Sequence, residues 1–307
     1  MDRKTPYFED MEKQLELALK KREKSKQDLE EYIEEIKIWL KSQPHLPEMP
    51  DKKIIMNFLF MNKFSVEGTK QRLDMYYTKQ TLVPEFFENS HPESSRMQCY
   101  LDTAYYIPLP KSTEDGYRIS VFKLINADPE HFNALDFFGS TYNSIEIRLH
   151  EDHFVGEIVI YDLKDASLRH IMKFTPVSLK KAATLLEKVL NNSVQQLHIL
   201  NYPSYAESLI NLVKKLLKPK IAERLHLHQG IDTISEFLPS RLLPEDYNGQ
   251  ERSLKELNEL WRKKLSDYRE RFDALTTLRV DETKRPTPVI NDEILGFHGN
   301  FKKLCVD

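Results

Sequence analysis

The stretch Leu197–His228, LHILNYPSYAESLINLVKKLLKPKIAERLHLH, holds two short apolar segments with an amphipathic segment between them. Its ends predict strands over Leu197–Leu200 and Leu225–His228, and its middle predicts a helix over Ser204–Leu217 that Pro219 terminates. The large aliphatic side chains of that helix recur on one broad face, and lysines follow on the other side. Two interpretations stay open. The helix is either an ordinary surface helix packed on a core, or a movable lid over an apolar cavity with cations placed beside it for a membrane.

The composition of the chain describes a protein with a sizeable core and no global charge. Its 307 residues allow two or three domains, and a formal net charge of -3 gives no field that favours nucleic acid. Only Cys99 and Cys305 are cysteines, which excludes a disulfide framework. The amino-terminal MDRKTPYFED lacks the apolar core of a signal peptide, and no apolar run is long enough to span a bilayer. We therefore expect a cytoplasmic monomer that meets membranes only peripherally and transiently.

The amino-terminal part of the chain predicts a small all-helical module. Met11–Lys41 is charged, with aliphatic residues at helical intervals, and predicts one helix. A proline-containing linker follows, and then two more helices are predicted, one capped by Asp51 and one over Val66–Thr81. The polar segment Glu88–Arg96 is a natural boundary at the end of this module.

Beyond that boundary, predicted strands alternate with predicted helices. Tyr117–Asn126 and Val155–Leu163 are rich in β-branched and aromatic residues and predict strands buried on both faces. Helices are predicted over His131–Glu151, from Thr175-Pro176 onward, and over Ser253–Phe272. Alternating strands and helices indicate an α/β domain with a largely parallel sheet and right-handed crossovers.

The sequence carries no motif of a known catalytic site. It contains no GxGxxG, GxxxxGK[ST], GxSxG or HExxH, and the SxxK match at Ser178–Lys181 lacks its companion motifs. His226 and His228 could share one face of a strand as metal ligands, but no third ligand lies nearby in sequence, so a structural role is favoured. Asp162 and Asp165 flank a strand end, where turn and cap roles are favoured over catalysis. We expect a binding protein without metal or cofactor, and not an enzyme.

Six motifs in a fixed order carry a family resemblance. They are NADP at 126–129, VIYDL at 159–163, His170 with FTP at 174–176, HILN at 198–201, KIAERLHLH at 220–228 and LPEDYNG at 243–249. Together they resemble the CRAL-TRIO lipid-transfer proteins, in the branch of tocopherol transfer protein, retinaldehyde-binding protein and the clavesins, and the ending NFKKLCVD is similar to that of invertebrate members. The resemblance implies a helical module at 1–90, an α/β lipid-binding domain at 91–265 whose mostly parallel sheet floors a lipid cavity closed by a lid helix, and a helix end with an extended tail at 266–307.

The resemblance also implies site residues, with ordinary core packing as the alternative for each apolar one. The positions that it places along the ligand cavity are Phe138, Thr141, Ile145, Tyr161, Leu168, Phe174, Ala182, Leu185, Leu186, Leu190 and Val194. The positions that it places on the inner or membrane-facing side of the lid are Ala206, Leu209, Ile210, Leu212, Val213, Leu216 and Leu217. The cations that it places towards a phosphoinositide or membrane surface are Lys214, Lys215, Lys218, Lys220 and Arg224.

Two departures from the family pattern bear on function. In tocopherol transfer protein, two pairs of basic residues hold a phosphoinositide headgroup. Here Lys220 and Arg224 match one pair, while the other falls on Ser193 and Gln195. A run that usually carries arginines in the helical module reads IMNFLFMN at 55–62.

The resemblance therefore implies an intracellular carrier. It would bind one tocopherol-, retinoid-, carotenoid- or sterol-like molecule in a closed cavity and transfer it to anionic or phosphoinositide-containing membranes. The alternative is a phosphoinositide-binding membrane-trafficking adaptor of clavesin type. An α/β-hydrolase-like enzyme is disfavoured because the nucleophile motif is missing.

Overall fold

The computed structural model describes residues 6–190 and 194–286, with the side chain of Leu190 left out. Its α-helices are α1 (Met11–Lys20), α2 (Lys26–Lys41), α3 (Lys52–Met61), α4 (Val66–Leu82), α5 (Ser95–Leu101), α6 (Ala134–Glu151), α7 (Leu168–Met172), α8 (Pro176–Leu190), α9 (Glu207–Leu216), α10 (Pro219–Ala222), α11 (Leu254–Asp267) and α12 (Arg269–Thr277). Its strands are β1 (Ala104–Ser112), β2 (Arg118–Leu124), β3 (Glu157–Asp162), β4 (Val194–Leu200) and β5 (Leu225–His228). Ser193 and the tail beyond residue 286 lie outside the described residues.

The amino-terminal segment predicted as one helix is two helices, so the prediction over Met11–Lys41 was wrong in this respect. Glu23 has a φ of 53°, which ends α1, and Ser25 then begins α2. The Ser25 hydroxyl accepts a hydrogen bond from the Asp28 amide at 3.0 Å, and the Asp28 carboxylate accepts one from the Ser25 amide at 2.7 Å. This capping box satisfies the first free N–H groups of α2 and fixes its start. The predicted helix over Ser253–Phe272 likewise divides into α11 and α12.

The helical module has its own apolar centre and is tied to the α/β part by α3. Ile33, Ile36 and Phe58 are fully buried within it. Asn57, in the run that lacks the family's arginines, donates hydrogen bonds of 3.0 Å to the carbonyl oxygens of Leu149 and Asp152. These carbonyls end α6 and begin the turn beyond it, so Asn57 satisfies backbone acceptors that the helix leaves free.

The sheet has five strands in the order β1-β2-β3-β4-β5. Strands β2 to β5 are parallel, and β1 joins β2 antiparallel at one edge. The predicted strands correspond to β2 to β5, whereas β1 was not predicted. Its two prolines, Pro108 and Pro110, suit an edge strand because they leave no ladder N–H to pair. The amino-terminal segment covers that edge, since the Tyr7 hydroxyl donates to the Pro108 carbonyl at 2.8 Å and the Glu9 amide to the Pro110 carbonyl at 2.9 Å.

Side chains of β3 are buried on both faces of the sheet, as the sequence predicted. Ile158 and Ile160 are 3% and 0% exposed on one face, and Val159 is 5% exposed on the other. The face that carries Val159 looks towards α6, α8 and α9 and forms one wall of a cavity. The helices α6, α8 and α9 therefore lie over this face of the sheet, and the cavity separates them from it.

Candidate functional site

An apolar cavity of about 290 Å³ lies between the sheet and the helices α6, α8 and α9. Its lining is Tyr106, Phe122, Phe137, Phe138, Thr141, Tyr142, Ile145, Arg148, Phe154, Glu157, Val159, Tyr161, Leu163, Phe174, Leu179, Ala182, Ala183, Leu186, Val194, Leu197, Ile199, Leu209, Ile210, Val213, Leu216, Leu217, Ile221 and Leu225. Apolar cavities well below this volume already stay dry and take apolar molecules. The cavity therefore suits a hydrophobic ligand rather than ordered water.

The floor of the cavity follows from the strand register. Tyr161 of β3 lies beside Phe122 of β2 and Ile199 of β4, and these three side chains form one row. Two residues earlier along the strands, Val159 and Leu197 form part of a second row. Because side chains alternate between faces, residues at the same level of in-register parallel strands point the same way. The apolar alternation in the sequence therefore becomes a continuous apolar floor.

The structure brings most of the predicted ligand residues together. Eight of the eleven line the cavity, namely Phe138, Thr141, Ile145, Tyr161, Phe174, Ala182, Leu186 and Val194. Leu185 does not line the cavity, because its fully buried side chain packs in the hydrophobic core. Leu168 does not either, because α7 turns it outward to 50% exposure. The side chain of Leu190 lies outside the described residues. That the eight contact a ligand stays a prediction.

The helix α9 covers the cavity at the position predicted for a lid, and that it opens stays a prediction. Its predicted inner residues Leu209, Ile210, Val213 and Leu216, and Leu217 just after it, line the cavity, whereas Leu212 is half-buried outside the lining. The predicted lid residue Ala206 is fully buried, but it packs with Ile199 and Ile210 in a small separate cluster at the base of the lid. Within α9 only Ile210 is buried, and the other lining residues keep part of their surface accessible.

The predicted membrane cations are not equally available. The Arg224 guanidinium donates to the Val194 carbonyl and, at 3.3 Å, to the Gln195 side chain, so β4 already engages it. Lys218 forms an ion pair of 2.7 Å with Glu187 of α8, which joins the end of the lid to its neighbour. Lys215 and Lys220 are exposed, and Lys214 is half-buried. Of the matched basic pair, Arg224 is therefore engaged by β4, whereas Lys220 is exposed and has no ion pair with any residue that the structure describes.

A buried charged group at one end of the cavity was missed by the sequence reasoning. Arg148 is 2% exposed and forms ion pairs with Glu157 at 2.6 Å and Asp152 at 2.9 Å. Burial raises the pKa of Glu157, and Arg148 partly offsets that rise. Burial disfavours the charge on Arg148, but Glu157 and Asp152 outweigh it and raise its pKa. The available signals were the four-residue spacing of Arg148 and Asp152, and one carboxylate within an apolar strand.

The histidines that could have been metal ligands form a hydrogen-bonded cluster on the opposite face of the sheet. His198 Nδ1 lies 2.9 Å from His228 Nε2, whose other ring nitrogen lies 2.7 Å from the Thr233 hydroxyl. The His226 ring stacks on His198, and Phe237 packs against all three rings. Burial, with the neighbouring histidines, lowers the pKa of His198 to about 3. Within residues 6–190 and 194–286, no group of three potential ligands is placed to hold a metal ion.

The aspartate at the end of β3 has a structural role. Asp162 is 1% exposed and accepts hydrogen bonds from Lys123 and Asn201, both at 2.8 Å, and from Tyr247 at 3.2 Å. Asp162 also accepts a hydrogen bond of 3.1 Å from the Lys164 amide two residues on, which is the turn role that the sequence favoured over catalysis.

Apolar side chains are exposed beside the lid. Leu168, Met172 and Val177 are 50%, 71% and 64% exposed on α7 and the first turn of α8. The Tyr205 hydroxyl, just before α9, donates to the Ala166 carbonyl at 2.6 Å, which places this patch next to the lid. In the part of the chain that the structure describes, the helices are too short or too polar to cross a membrane.

Comparison with known proteins matches two successive parts of the chain to known domain families. Residues 25–97 match the Pinta-like, UBA domain, and residues 102–249 match the CRAL/TRIO domain. The alpha-tocopherol transfer protein-like proteins of Mus musculus and Homo sapiens are each 26% identical over 212 residues, which is 68% of this chain and 61% of theirs. Clavesin-1 of Rattus norvegicus is 24% identical over 202 residues, which is 65% of this chain and 57% of its own. This chain thus covers less than two thirds of the length of these relatives.

A crystal structure of Sfh5 aligns with a TM-score of 0.44 and 12% identity, over 79% of this chain and 97% of that one. The predicted fold class, a helical amino-terminal region followed by an α/β domain with a mostly parallel sheet, is confirmed. The predicted domain limits of 1–90, 91–265 and 266–307 stay predictions. On its two domain matches and these relatives, the chain belongs to the CRAL-TRIO family of lipid-binding transfer proteins.

Proposed function

We propose that this protein binds one hydrophobic small molecule in the cavity beneath α9 and transfers it to membranes. The observation that carries this proposal is the apolar cavity of about 290 Å³ whose floor, walls and lid come from the sheet, α6, α8 and α9. A cavity that removes a ligand's apolar surface from water stabilises the complex in proportion to the area buried. A tocopherol-, retinoid-, carotenoid- or sterol-like molecule would fit that chemistry, and the relatives named alpha-tocopherol transfer protein-like support the same class.

The charged lining supports binding rather than reaction. Arg148 and Glu157 are the charged residues of the described lining, and they form an ion pair with each other. A general acid or base must exchange a proton with its substrate, but the Arg148 guanidinium does not release its proton, and the two oxygens of Glu157 already accept hydrogen bonds from Ser120 and Arg148. We therefore propose a carrier and not an enzyme.

Release at a membrane is supported by the surface beside the lid. Leu168, Met172 and Val177 present exposed apolar groups, whereas Arg169 pairs with Glu130 and Lys173 donates to the carbonyl oxygens of Pro129 and Phe132. Exposed apolar side chains can enter the interface of a bilayer, and the exposed Lys215 and Lys220 near the lid can meet its anionic headgroups. We propose peripheral, transient contact through this surface, with the protein acting as a monomer.

The test is extraction of the purified protein with organic solvent, followed by mass spectrometry. After incubation with vesicles that carry mixed neutral lipids, one apolar molecule per protein should be recovered. If no ligand is recovered in stoichiometric amount after incubation with any of the vesicle compositions, the protein is not a carrier.

The alternative, a phosphoinositide-binding trafficking adaptor, has weaker support because Arg224 is already bonded to β4. Vesicles matched in total charge separate the two functions. A strong preference for one phosphoinositide over phosphatidylserine at equal charge would favour the adaptor.

A further inference from the structure

One end of the cavity is polar, although the rest is apolar. Glu157 opens β3, and Arg148 lies on the last turn of α6, and both contribute to the lining with Phe154 and Val194. Tyr161 lies four residues further along β3, roughly 13 Å away at the rise of a strand. The charged pair therefore marks the end of the cavity at the amino-terminal ends of the strands.

The charges around this end are balanced. Asp152 accepts hydrogen bonds from Arg148 and, at 2.7 Å, from Arg118, and both Asp152 and Arg118 are fully buried. Arg148 also pairs with Glu157, whose other oxygen accepts a hydrogen bond of 2.6 Å from Ser120. Two guanidinium groups and two carboxylates thus form a neutral network. One more buried charge in this region would stand without a counter-ion.

The network leaves one strong donor unused. Arg148 donates through Nε to Asp152 and through Nη1 to Glu157. Its Nη2 is buried and has no hydrogen-bond partner among the described residues. The Phe154 ring covers one face of the guanidinium, with its centroid 4.4 Å from Cζ. A buried guanidinium N–H that lacks an acceptor is costly, so an acceptor from a ligand would be strongly favoured.

We propose that Arg148 is the polar anchor of the ligand, and that the ligand is an apolar molecule with an uncharged oxygen at one end, such as a ketone, aldehyde, ester or alcohol. This inference rests on the proposed carrier function and narrows its ligand class. The unused N–H of Arg148 donates to the ligand oxygen, and the apolar remainder lies along the floor beneath α9. A carboxylate is disfavoured, because it would add an unbalanced negative charge to a neutral buried network.

The experiment compares four compounds of equal chain length. Vesicles are loaded with hexadecane, 1-hexadecanol, 2-hexadecanone or hexadecanoate, and the amount that the protein removes is measured by mass spectrometry after gel filtration. A hydrogen bond to a charged donor predicts uptake of the ketone and the alcohol about 10- to 100-fold above hexadecane, relative to their content in the vesicle. Hexadecanoate should fall below the ketone.

The variant Arg148→Met/Glu157→Met removes one cation and one anion, and the pair of Arg118 with Asp152 remains. It should lower the ketone-to-hexadecane ratio to about one while hexadecane uptake is retained. The matched control is Arg96→Met/Asp136→Met, which removes an ion pair of 2.7 Å between α5 and α6 outside the cavity lining and should keep the ratio. Circular dichroism checks that each variant is folded.

A second measurement needs no variant. The carbonyl stretching band of bound 2-hexadecanone should lie at lower wavenumber than in liquid alkane, because the guanidinium polarises the carbonyl. An unshifted band, a ratio unchanged in the double variant, or uptake of hexadecanoate above the ketone each overturns the anchor. Equal uptake of all four compounds overturns the anchor alone, whereas uptake of none overturns the carrier function with it.

Discussion

The lid gives the most specific prediction, because the free energy needed to open it can be estimated from the apolar side chains that it buries. Five aliphatic side chains at Leu209, Ile210, Val213, Leu216 and Leu217 line the cavity, and within α9 only Ile210 is fully buried. A fully buried aliphatic side chain is worth about 1.5–3 kcal/mol, so at half burial the five together contribute roughly 5 kcal/mol. Roughly one molecule in several thousand would then be open in water. Near a bilayer the same side chains enter the interface, so ligand exit should be slow in buffer and fast with anionic vesicles.

The assay is the ligand off-rate with and without vesicles, measured with a fluorescent apolar ligand. Leu209→Asp/Leu216→Asp should speed exit in buffer by about tenfold or more, because the closed lid would bury two carboxylates. The same variant should lose the vesicle acceleration, since its opened face no longer inserts. The control Ser208→Asp/Asn211→Asp adds equal charge at exposed positions of α9 and should keep most of the acceleration. Equal off-rates in buffer and vesicles for the unmodified protein would refute the lid and leave an ordinary packed helix.

Three further predictions test the cavity, the cations and the buried charges. Ala182→Trp, at a buried position of the lining, should cut the recovered ligand at least fivefold while costing about 1–3 kcal/mol in urea unfolding. If the variant is largely unfolded but its remaining folded molecules carry ligand normally, Ala182 belongs to the core and not to the ligand site. Lys220→Ala should weaken sedimentation with anionic vesicles about fivefold, whereas Arg224→Ala should mainly lower the free energy of unfolding, by about 1–2 kcal/mol, because that guanidinium bonds to β4. Equal effects of both variants on vesicle binding would contradict this division. Burial raises the pKa of Asp152, but its two arginine neighbours outweigh burial and hold it at about 2, below the ordinary 3.8. The unfolded chain therefore takes up the proton first, so about 2 kcal/mol of stability is present above roughly pH 4 and is lost as the pH falls towards 2. Asp152→Asn should reduce the change in the free energy of unfolding between roughly pH 4 and pH 2, measured by urea unfolding at a series of pH values. An unchanged pH dependence would show that other groups cause this loss of stability.

The sequence was sufficient for those parts of the fold in which local pattern and tertiary packing agree. Strands β2 to β5 follow from short apolar runs rich in β-branched and aromatic residues, and the helix α9 follows from helical periodicity, because burial requires the same residues that the local pattern supplies. Strand β1 was not predicted because it contains Pro108 and Pro110, which are incompatible with a central strand but are tolerated in an edge strand. The break between α1 and α2 was readable in the capping box of Ser25 and in the gap without aliphatic residues between Leu19 and Leu29, but the prediction merged both sides into one charged helix.

The candidate site was less predictable, because cavity and core are built from the same side chains. Leu185 and Leu186 are adjacent and equally apolar, yet only Leu186 faces the cavity. The order of apolar residues in the sequence does not contain the distance between the sheet and the helices that pack over it, so it cannot separate a cavity from a filled core. The pairing of Arg148 with Glu157 depends on a turn that brings the end of α6 to the start of β3, so the polar end of the cavity emerged only from tertiary structure.

The attachment of α9 at both ends limits how the cavity can be entered. Leu217 and Lys218, which join α9 to α10, have ψ of 151° and 143°, so this two-residue connection is near its full reach of roughly 7 Å. Ile221 is 5% exposed and fixes α10 against the body. The helix therefore cannot lift off as a free rod; it can tilt about its carboxyl end once the Tyr205 hydroxyl leaves the Ala166 carbonyl. Such a tilt opens a tapering slit beside α7, narrowest at the pivot. We therefore expect slender molecules that travel lengthwise to load fastest, so that the cross-section of a lipid would govern how fast it loads, separately from how tightly it is held.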